Sequence, residues 1–314
     1  MATRALFAAM VALAAIQQPA AASPGAFEPE ALVRRVDRVA VLALARAGER
    51  TVAAGERGRI LVSDDDGATW KVASTPTLQT LTSLSFSDAK TGFATGHQGT
   101  LLRTEDGGMT WKQAALDSKD KPALFAVRVS GEKGIAVGSY GAYLESSDGG
   151  RTWTSRKILS ADFDRHLTGI AAVAPGRIIV AGEAGTLIAT SDGGATWQSL
   201  KSPYEGSFFG AIGLSGGAVI AYGMRGNAWR SADAGKTWQR IDLGSDYKGA
   251  LQGAAEFADG SVVLAGTDGM VAISRDGGAT FTAKPLASRA ALSAALRSPA
   301  GWIVAGPAGL RVVP

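Results

Sequence analysis

One eight-residue pattern, Ser/Thr-x-Asp-x-Gly-x-Thr-Trp, occurs six times in this chain of 314 residues. The copies are Ser63-Asp65-Gly67-Thr69-Trp70, Thr104-Asp106-Gly108-Thr110-Trp111, Ser146-Asp148-Gly150-Thr152-Trp153, Thr190-Asp192-Gly194-Thr196-Trp197, Ser231-Asp233-Gly235-Thr237-Trp238 and Ser274-Asp276-Gly278-Thr280-Phe281. Successive aspartates stand 41 to 44 residues apart. A fixed period of that length marks an array of supersecondary units, each too small to bury its own apolar face. One aspartate per unit also rules out a single active site built from the pattern.

A second beat precedes each box by about eight residues. It is a Gly-x-x-Gly turn: Gly55/Gly58, Gly96/Gly99, Gly138/Gly141, Gly182/Gly185, Gly223/Gly226, Gly266/Gly269 and, without a box after it, Gly306/Gly309. The residues ahead of these turns are short apolar runs such as Ile178-Ile179-Val180-Ala181 and Val262-Val263-Leu264-Ala265. Such runs, bounded by Gly, Asp and Ser, are strand signals, and no sustained helical period competes with them beyond the first twenty residues or so. Four strands in about 42 residues describe a propeller blade. The expected fold is all-β, a seven-bladed β-propeller of four-stranded antiparallel blades. The seventh unit lacks a box and a last strand, so an N-terminal strand around Ala31 to Arg35 is expected to close the ring. The division expected is 1–22 signal peptide, 23–35 N-terminal segment with the closing strand, and 36–314 propeller.

Within the box, the aspartate is placed to accept hydrogen bonds from the backbone of the turn, and glycine supplies the backbone angles. The Trp points inward between neighbouring blades, where burying an indole is worth roughly 4–6 kcal/mol before entropy is counted. Asp64-Asp65-Asp66 resembles the start of a calcium loop but lacks the bidentate Glu at the twelfth position. His97 and His166 have no carboxylates at fixed spacing. Neither a metal nor a cofactor is expected.

The boxes resemble the Asp-box, or bacterial neuraminidase repeat, of sialidases and other propellers. The longer unit, Gly92-Phe93-Ala94-Thr95-Gly96-His97-Gln98-Gly99-Thr100-Leu101-Leu102-Arg103-Thr104-Glu105-Asp106-Gly107-Gly108-Met109-Thr110-Trp111, is similar to the repeat of the photosystem II assembly and stability factor family of cyanobacteria and chloroplasts. The resemblance covers about residues 36–314. It implies a lumenal or periplasmic propeller that binds a membrane-protein subunit during assembly and performs no chemistry. In non-photosynthetic bacteria it implies an exporter or another envelope complex as client. Cyanobacterial members are commonly lipid-anchored through a cysteine, and this chain has none.

Arg4, the apolar stretch Ala5 to Ile16 and the small residues Ala20-Ala21-Ala22 have the layout of a secretory signal. The apolar stretch is shorter than the roughly 20 residues a membrane span needs. The expected location is the periplasm, or the lumen in a phototroph. A formal charge of +4 with no basic run longer than Arg34-Arg35 gives no support to nucleic-acid binding.

In a four-stranded blade the Gly-x-x-Gly turns share one face with the linkers between blades, and the boxes occupy the other. Partner contacts are therefore expected on the face without boxes, from Arg57, His97, Tyr140, Arg165, His166, Tyr204, Phe208, Arg225, Tyr247 and Lys248. The competing reading is that Phe163, Phe208 and Phe209 plug gaps between blades. The expected partner is a membrane-protein subunit or envelope complex, met by a monomer; a glycan is the alternative. As an enzyme, the alternative is a sialidase-like glycoside hydrolase using Tyr140, Glu183, Arg57 and Arg225 around one cavity. Against it, the Arg-Ile-Pro segment of sialidases is missing: Arg59-Ile60-Leu61 and Arg177-Ile178-Ile179 lack the proline.

Overall fold

The computed structural model describes residues 36–160, 162–244 and 246–314. The expected signal peptide and closing strand lie outside the described residues. The described chain forms seven antiparallel sheets in sequence order. Their inner strands are Val41–Ala47, Leu81–Phe86, Leu124–Ser130, Leu167–Ala174, Phe208–Gly213, Leu251–Glu256 and Ala294–Ser298. Each inner strand touches the next, and Ala294–Ser298 touches Val41–Ala47, so the ring is closed. The fold is the seven-bladed propeller expected from the repeat. In blade 7 the described strands are Ala294–Ser298, Gly301–Gly306 and Gly309–Val313.

One feature departs from four strands per blade. Ala115–Asp117, in the linker after blade 2, pairs in parallel with Thr152–Ser155, the outer strand of blade 3. Ser74 makes the same kind of stitch one blade earlier: its N–H donates to the Met109 carbonyl, and the Trp111 N–H donates to the Ser74 carbonyl, both at 2.9 Å. These pairings use backbone alone, so no side-chain pattern announces them.

The box is a closed hydrogen-bonded loop. In the first copy the Ser63 hydroxyl donates to Asp65 Oδ1 at 2.8 Å and accepts from the Gly67 N–H at 2.8 Å. The Thr69 N–H donates to Asp65 Oδ1 at 2.8 Å. The indole N–H of Trp70 donates to the Gly67 carbonyl at 3.1 Å. The same bonds recur from Trp111, Trp153 and Trp197 to Gly108, Gly150 and Gly194. They are missing in the last two copies: the Trp238 indole N–H has no partner among the described residues, and Phe281 has none to give.

Each box docks on the blade before it. A Cβ on Gly150 would fall 2.2 Å from the Phe93 ring of blade 2, and one on Gly67 would lie 3.1 Å from Val312 and 3.2 Å from Ile303 of blade 7. Arginines of the preceding blade then grip the box backbone. Arg50 donates to the Asp106 and Gly107 carbonyls, Arg156 to Gly194 and Ala195, Arg177 to Ala234 and Arg230 to Gly277. At the closing joint Arg46 donates to Asp66 at 2.9 Å and to the Arg297 carbonyl at 2.7 Å. Blade 7 has no box to offer blade 6. There Trp302 stacks edge-on against Phe257, and Arg297 lies over both rings while pairing with Asp259.

The core lies between blades. Trp111 is buried with Val52, Ala54 and Ile60 of blade 1 and Leu81 and Ala94 of blade 2, while Trp70 is buried with Ile303 and Ala305 of blade 7. Trp111→Ala is expected to cost about 3–5 kcal/mol in denaturant titrations, since the surrounding strands cannot collapse on the void. Trp153→Phe should cost about 1 kcal/mol more than Trp238→Phe, because only the first removes a made hydrogen bond. Equal losses in paired melts would contradict this role for the indoles.

The box hydroxyls and N–H groups also hold the aspartates ionised. Thr237, through its hydroxyl and N–H, and the Ser231 hydroxyl bring the Asp233 carboxyl down to about 2. Asp148, Asp192 and Asp276 are held below the usual range by their own box threonines and Ser/Thr hydroxyls. For Asp65 and Asp106 desolvation pulls the other way and is outweighed by the same donors. A depressed pKa contributes stability above the unfolded value of about 3.9, and that contribution is lost as pH falls toward the folded value. The melting temperature should therefore be level above about pH 5 and drop between about pH 4 and 2. Asp233→Asn should flatten that drop; an unchanged profile would separate the box from acid sensitivity.

Candidate functional site

The face opposite the boxes is built from turn–linker pairs. Where a Cβ would stand on Gly55, the Ala40 carbonyl of the entering linker sits 2.0 Å away. This close approach demands the first glycine of the turn. The second, Gly58, has φ 66, and the residue before it, Arg57, has φ 54. The same left-handed residue recurs as Gln98, Tyr140, Ala184, Arg225 and Asp268, with φ between 47 and 58. A left-handed non-glycine residue costs roughly 1–2 kcal/mol, so six side chains are held on this face at a conformational cost. The seventh turn, Pro307-Ala308, does not repeat it: Ala308 has no positive φ.

Each turn then packs on the linker that follows. Gly99 donates its N–H to Pro122, Gly141 to Arg165, Gly185 to Gly206 and Gly226 to Gly249. Gly58 lies against Thr77 and Leu78. This arrangement puts an arginine and an exposed apolar residue on neighbouring backbone in three places: Arg57 and Leu78, Arg165 and Tyr140, and Arg225 and Met224. Leu78, Tyr140 and Met224 are 84%, 72% and 41% exposed, and they are three of the four large hydrophobic side chains exposed among the described residues. Leu78 is not among the contacts expected from the sequence. Its one signal there is a leucine in a polar linker, 75–80, that carries no strand pattern.

Of the expected residues, Arg57, His97, Tyr140, Arg165, Arg225 and Lys248 are exposed on this face. Tyr140 and His166 are brought together, with ring centroids 4.9 Å apart and edge to face. The Tyr140 N–H donates to His166 Nδ1 at 3.2 Å, and the His166 N–H donates to Glu183 Oε2 at 2.8 Å. Phe125 adds a third ring, 5.6 Å from His166. Tyr204 and Tyr247 are half-buried, and the Tyr247 hydroxyl donates to the Ala250 carbonyl at 2.9 Å. Phe208 is a correction. It opens the inner strand of blade 5, is fully buried, and packs edge-on against Tyr204, so it fastens the linker and offers nothing to a partner. For this residue the gap-filling reading holds.

A cavity opens on the other face. It has a volume of about 1140 Å³ and runs from the outer strand of blade 3, past the seam with blade 4, to the channel mouth. Arg128, Lys133, Tyr143, Glu145 and Glu256 line it; Tyr140, Glu183, Arg57 and Arg225 do not. The four residues a sialidase reading would need are not gathered around it. Arg59 precedes a third strand and Arg177 begins a second strand.

The sequence repeat decides the comparison with known proteins. The family model described as "Photosynthesis system II assembly factor YCF48" matches residues 63–230 and 157–308. The chain belongs to that family. No curated protein matches the sequence significantly. Among solved structures, "YCF48 bound to D1 peptide" is similar over 94% of this chain and 98% of its own, with 18% identity and a TM-score of 0.69. YCF48 from Cyanidioschyzon merolae is similar over 87% of this chain and 94% of its own, at 17% identity and TM-score 0.67. A virginiamycin B lyase from Staphylococcus aureus reaches TM-score 0.71 at 11% identity, covering 88% of this chain and 96% of its own. At these identities the likeness is one of fold, and the same ring serves both binding proteins and an enzyme.

Within this YCF48-family ring, the costly left-handed turn residue is a feature that substitution can isolate. Tyr140→Gly should leave unfolding free energy within about 1 kcal/mol of the parent, since glycine accepts that φ. Tyr140→Val should cost more than Tyr140→Gly. Thermal melts of both variants check the order.

Proposed function

We propose that this chain is a non-catalytic, exported propeller that captures a segment of a membrane-protein subunit, or of an envelope complex, during assembly. The observation that carries it is the turn face: Leu78, Tyr140 and Met224 are exposed, each with an arginine on neighbouring backbone. Tyrosine and arginine side chains are enriched among the hot-spot contacts of protein interfaces. Membership in the YCF48 family supports the same reading, and a D1 peptide is what one solved relative carries. The signal-like segment at residues 1–22 supports a periplasmic site of action, or a lumenal one in a phototroph.

The non-catalytic part rests on the carboxylates. The box aspartates are occupied by their own hydroxyls and N–H groups, and Glu183 accepts the His166 N–H. Both sets hold backbone of the ring in place. Purified protein should leave fluorogenic sialosides and glycosides intact; turnover would end this reading.

The capture experiment uses solubilised envelope and the purified full propeller. A specific membrane protein should be recovered, and Arg57→Ala with Arg225→Ala should reduce recovery about tenfold, the scale of losing interface anchors. The melting temperature should not change. Full recovery by the double variant would reject this face, and recovery of glycan alone would favour the glycan-binding alternative.

A further inference from the structure

The cavity on the box face plays no part in capture at the turn face, and its charges are unbalanced. Both of its glutamates are engaged: Glu145 receives Arg156 at 2.9 Å, and Glu256 accepts the Ser215 N–H at 2.8 Å and the Ser215 hydroxyl at 2.7 Å. Two of its cations are not. Arg128 and Lys133 have no side-chain hydrogen-bond or ion-pair partner among the described residues.

Their placement follows from strand geometry. Val127 and Val129 are buried, so Arg128 and Ser130 project together to the opposite side of the inner strand of blade 3. Ser130 pairs with Lys133 across the hairpin, which sets the lysine beside it. Arg128 and Lys133 are therefore diagonal neighbours on adjacent strands, with about 7–8 Å between their backbone positions. Water reaches Arg128, yet the surrounding protein lowers its pKa by desolvation, with no anion to offset the cost. An anion brought to this wall would meet a guanidinium that has already lost part of its hydration.

Size and shape narrow the ligand. A volume of about 1140 Å³ exceeds the range of roughly 300–1,000 Å³ typical of small-molecule sites. From the outer to the inner strand of a blade is three strand spacings, or about 14 Å, the length of four to five residues of extended chain. Ile170, Val173 and Ile178 provide apolar wall along the way. In an extended peptide, side chains two residues apart lie on one side and about 7 Å from each other. That matches the two cations.

We propose that the cleft between blades 3 and 4 binds an extended acidic peptide segment, with two carboxylates in an acid-x-acid spacing paired to Arg128 and Lys133. This site is separate from the turn face, and its failure leaves the turn-face reading intact.

The test is fluorescence anisotropy with the full propeller and a labelled, terminally blocked peptide Leu-Glu-Ala-Glu-Leu-Ala. Companion peptides carry Gln at both Glu positions, or the two Glu side by side. The acid-x-acid peptide should bind at least about tenfold tighter than either companion, the scale of a charge-assisted hydrogen bond, and weaken with added salt. Arg128→Ala and, separately, Lys133→Gln should each lose about tenfold, while Arg57→Ala with Arg225→Ala should change nothing. Lys133 lies at the hairpin surface, so its variant keeps the test sound if the Arg128 variant folds poorly. Equal binding of the three peptides, or unchanged affinity in both variants, would overturn the proposal. So would citrate binding as tightly as the peptide, since that would leave no role for the chain flanking the charges.

Discussion

Six of the seven joints in this ring depend on the contact between a box glycine and the blade before it. The box does two jobs with one set of bonds. Inward, the aspartate collects the Ser/Thr hydroxyl, the Thr N–H and the Thr hydroxyl, so a tight turn is rigid without any neighbour. Outward, the glycine backbone that this rigidity presents lies flat on the preceding blade, where even a methyl group would clash, as at Gly150 against Phe93. The arginine straps act on the same surface, reaching carbonyls that the box leaves free. Intra-blade rigidity is thereby converted into inter-blade cohesion, which lets a fold of mostly short strands close over an apolar core divided among its seams.

Much of this is legible in the amino-acid sequence. The period carries the blade count, the spacing of glycine turns and boxes separates the two faces, and the box tryptophans mark the seams. What stays hidden is backbone-to-backbone or depends on distant partners. The parallel stitch of Ala115–Asp117 uses no side-chain code. Arg50, Arg177 and Arg230 read as ordinary strand-end charges, and only the ring brings them to the next box. At the candidate site, the turn pattern alone puts Arg57, Tyr140 and Arg225 on the face where the structure has them, but it misjudges Phe208. An aromatic residue at the start of an inner strand looks like a loop residue when strand boundaries are uncertain by a few positions. Leu78 escapes for the opposite reason: nothing in a single leucine distinguishes exposure from burial until its linker is seen crossing the turn of blade 1.

The two faces put their polar groups to different uses. On the turn face, short left-handed turns hold side chains outward, and the linkers behind them carry rings and arginines. On the box face, the box side chains are used in holding the ring together, and within the cavity Arg128 and Lys133 stand out because its glutamates are engaged. Membership in the YCF48 family accounts for the ring and its repeat. The particular side chains on either face are properties of this chain, and at 18% identity to a solved relative they are where its own specificity has to be sought.

The joint between blades 6 and 7 gives the ring a polarity that the repeat conceals. Six seams are fastened by boxes and the apolar contacts of their glycines, whereas this one relies on Trp302 against Phe257 and on the exposed Arg297–Asp259 pair. Salt screens an exposed ion pair. Exposed ion pairs stand at two joints, Arg46–Asp66 at the closing joint and Arg297–Asp259 here, and only here is there no box behind the pair. A nearly symmetric wheel in this way keeps one joint where screening of a surface charge pair is not backed by a box.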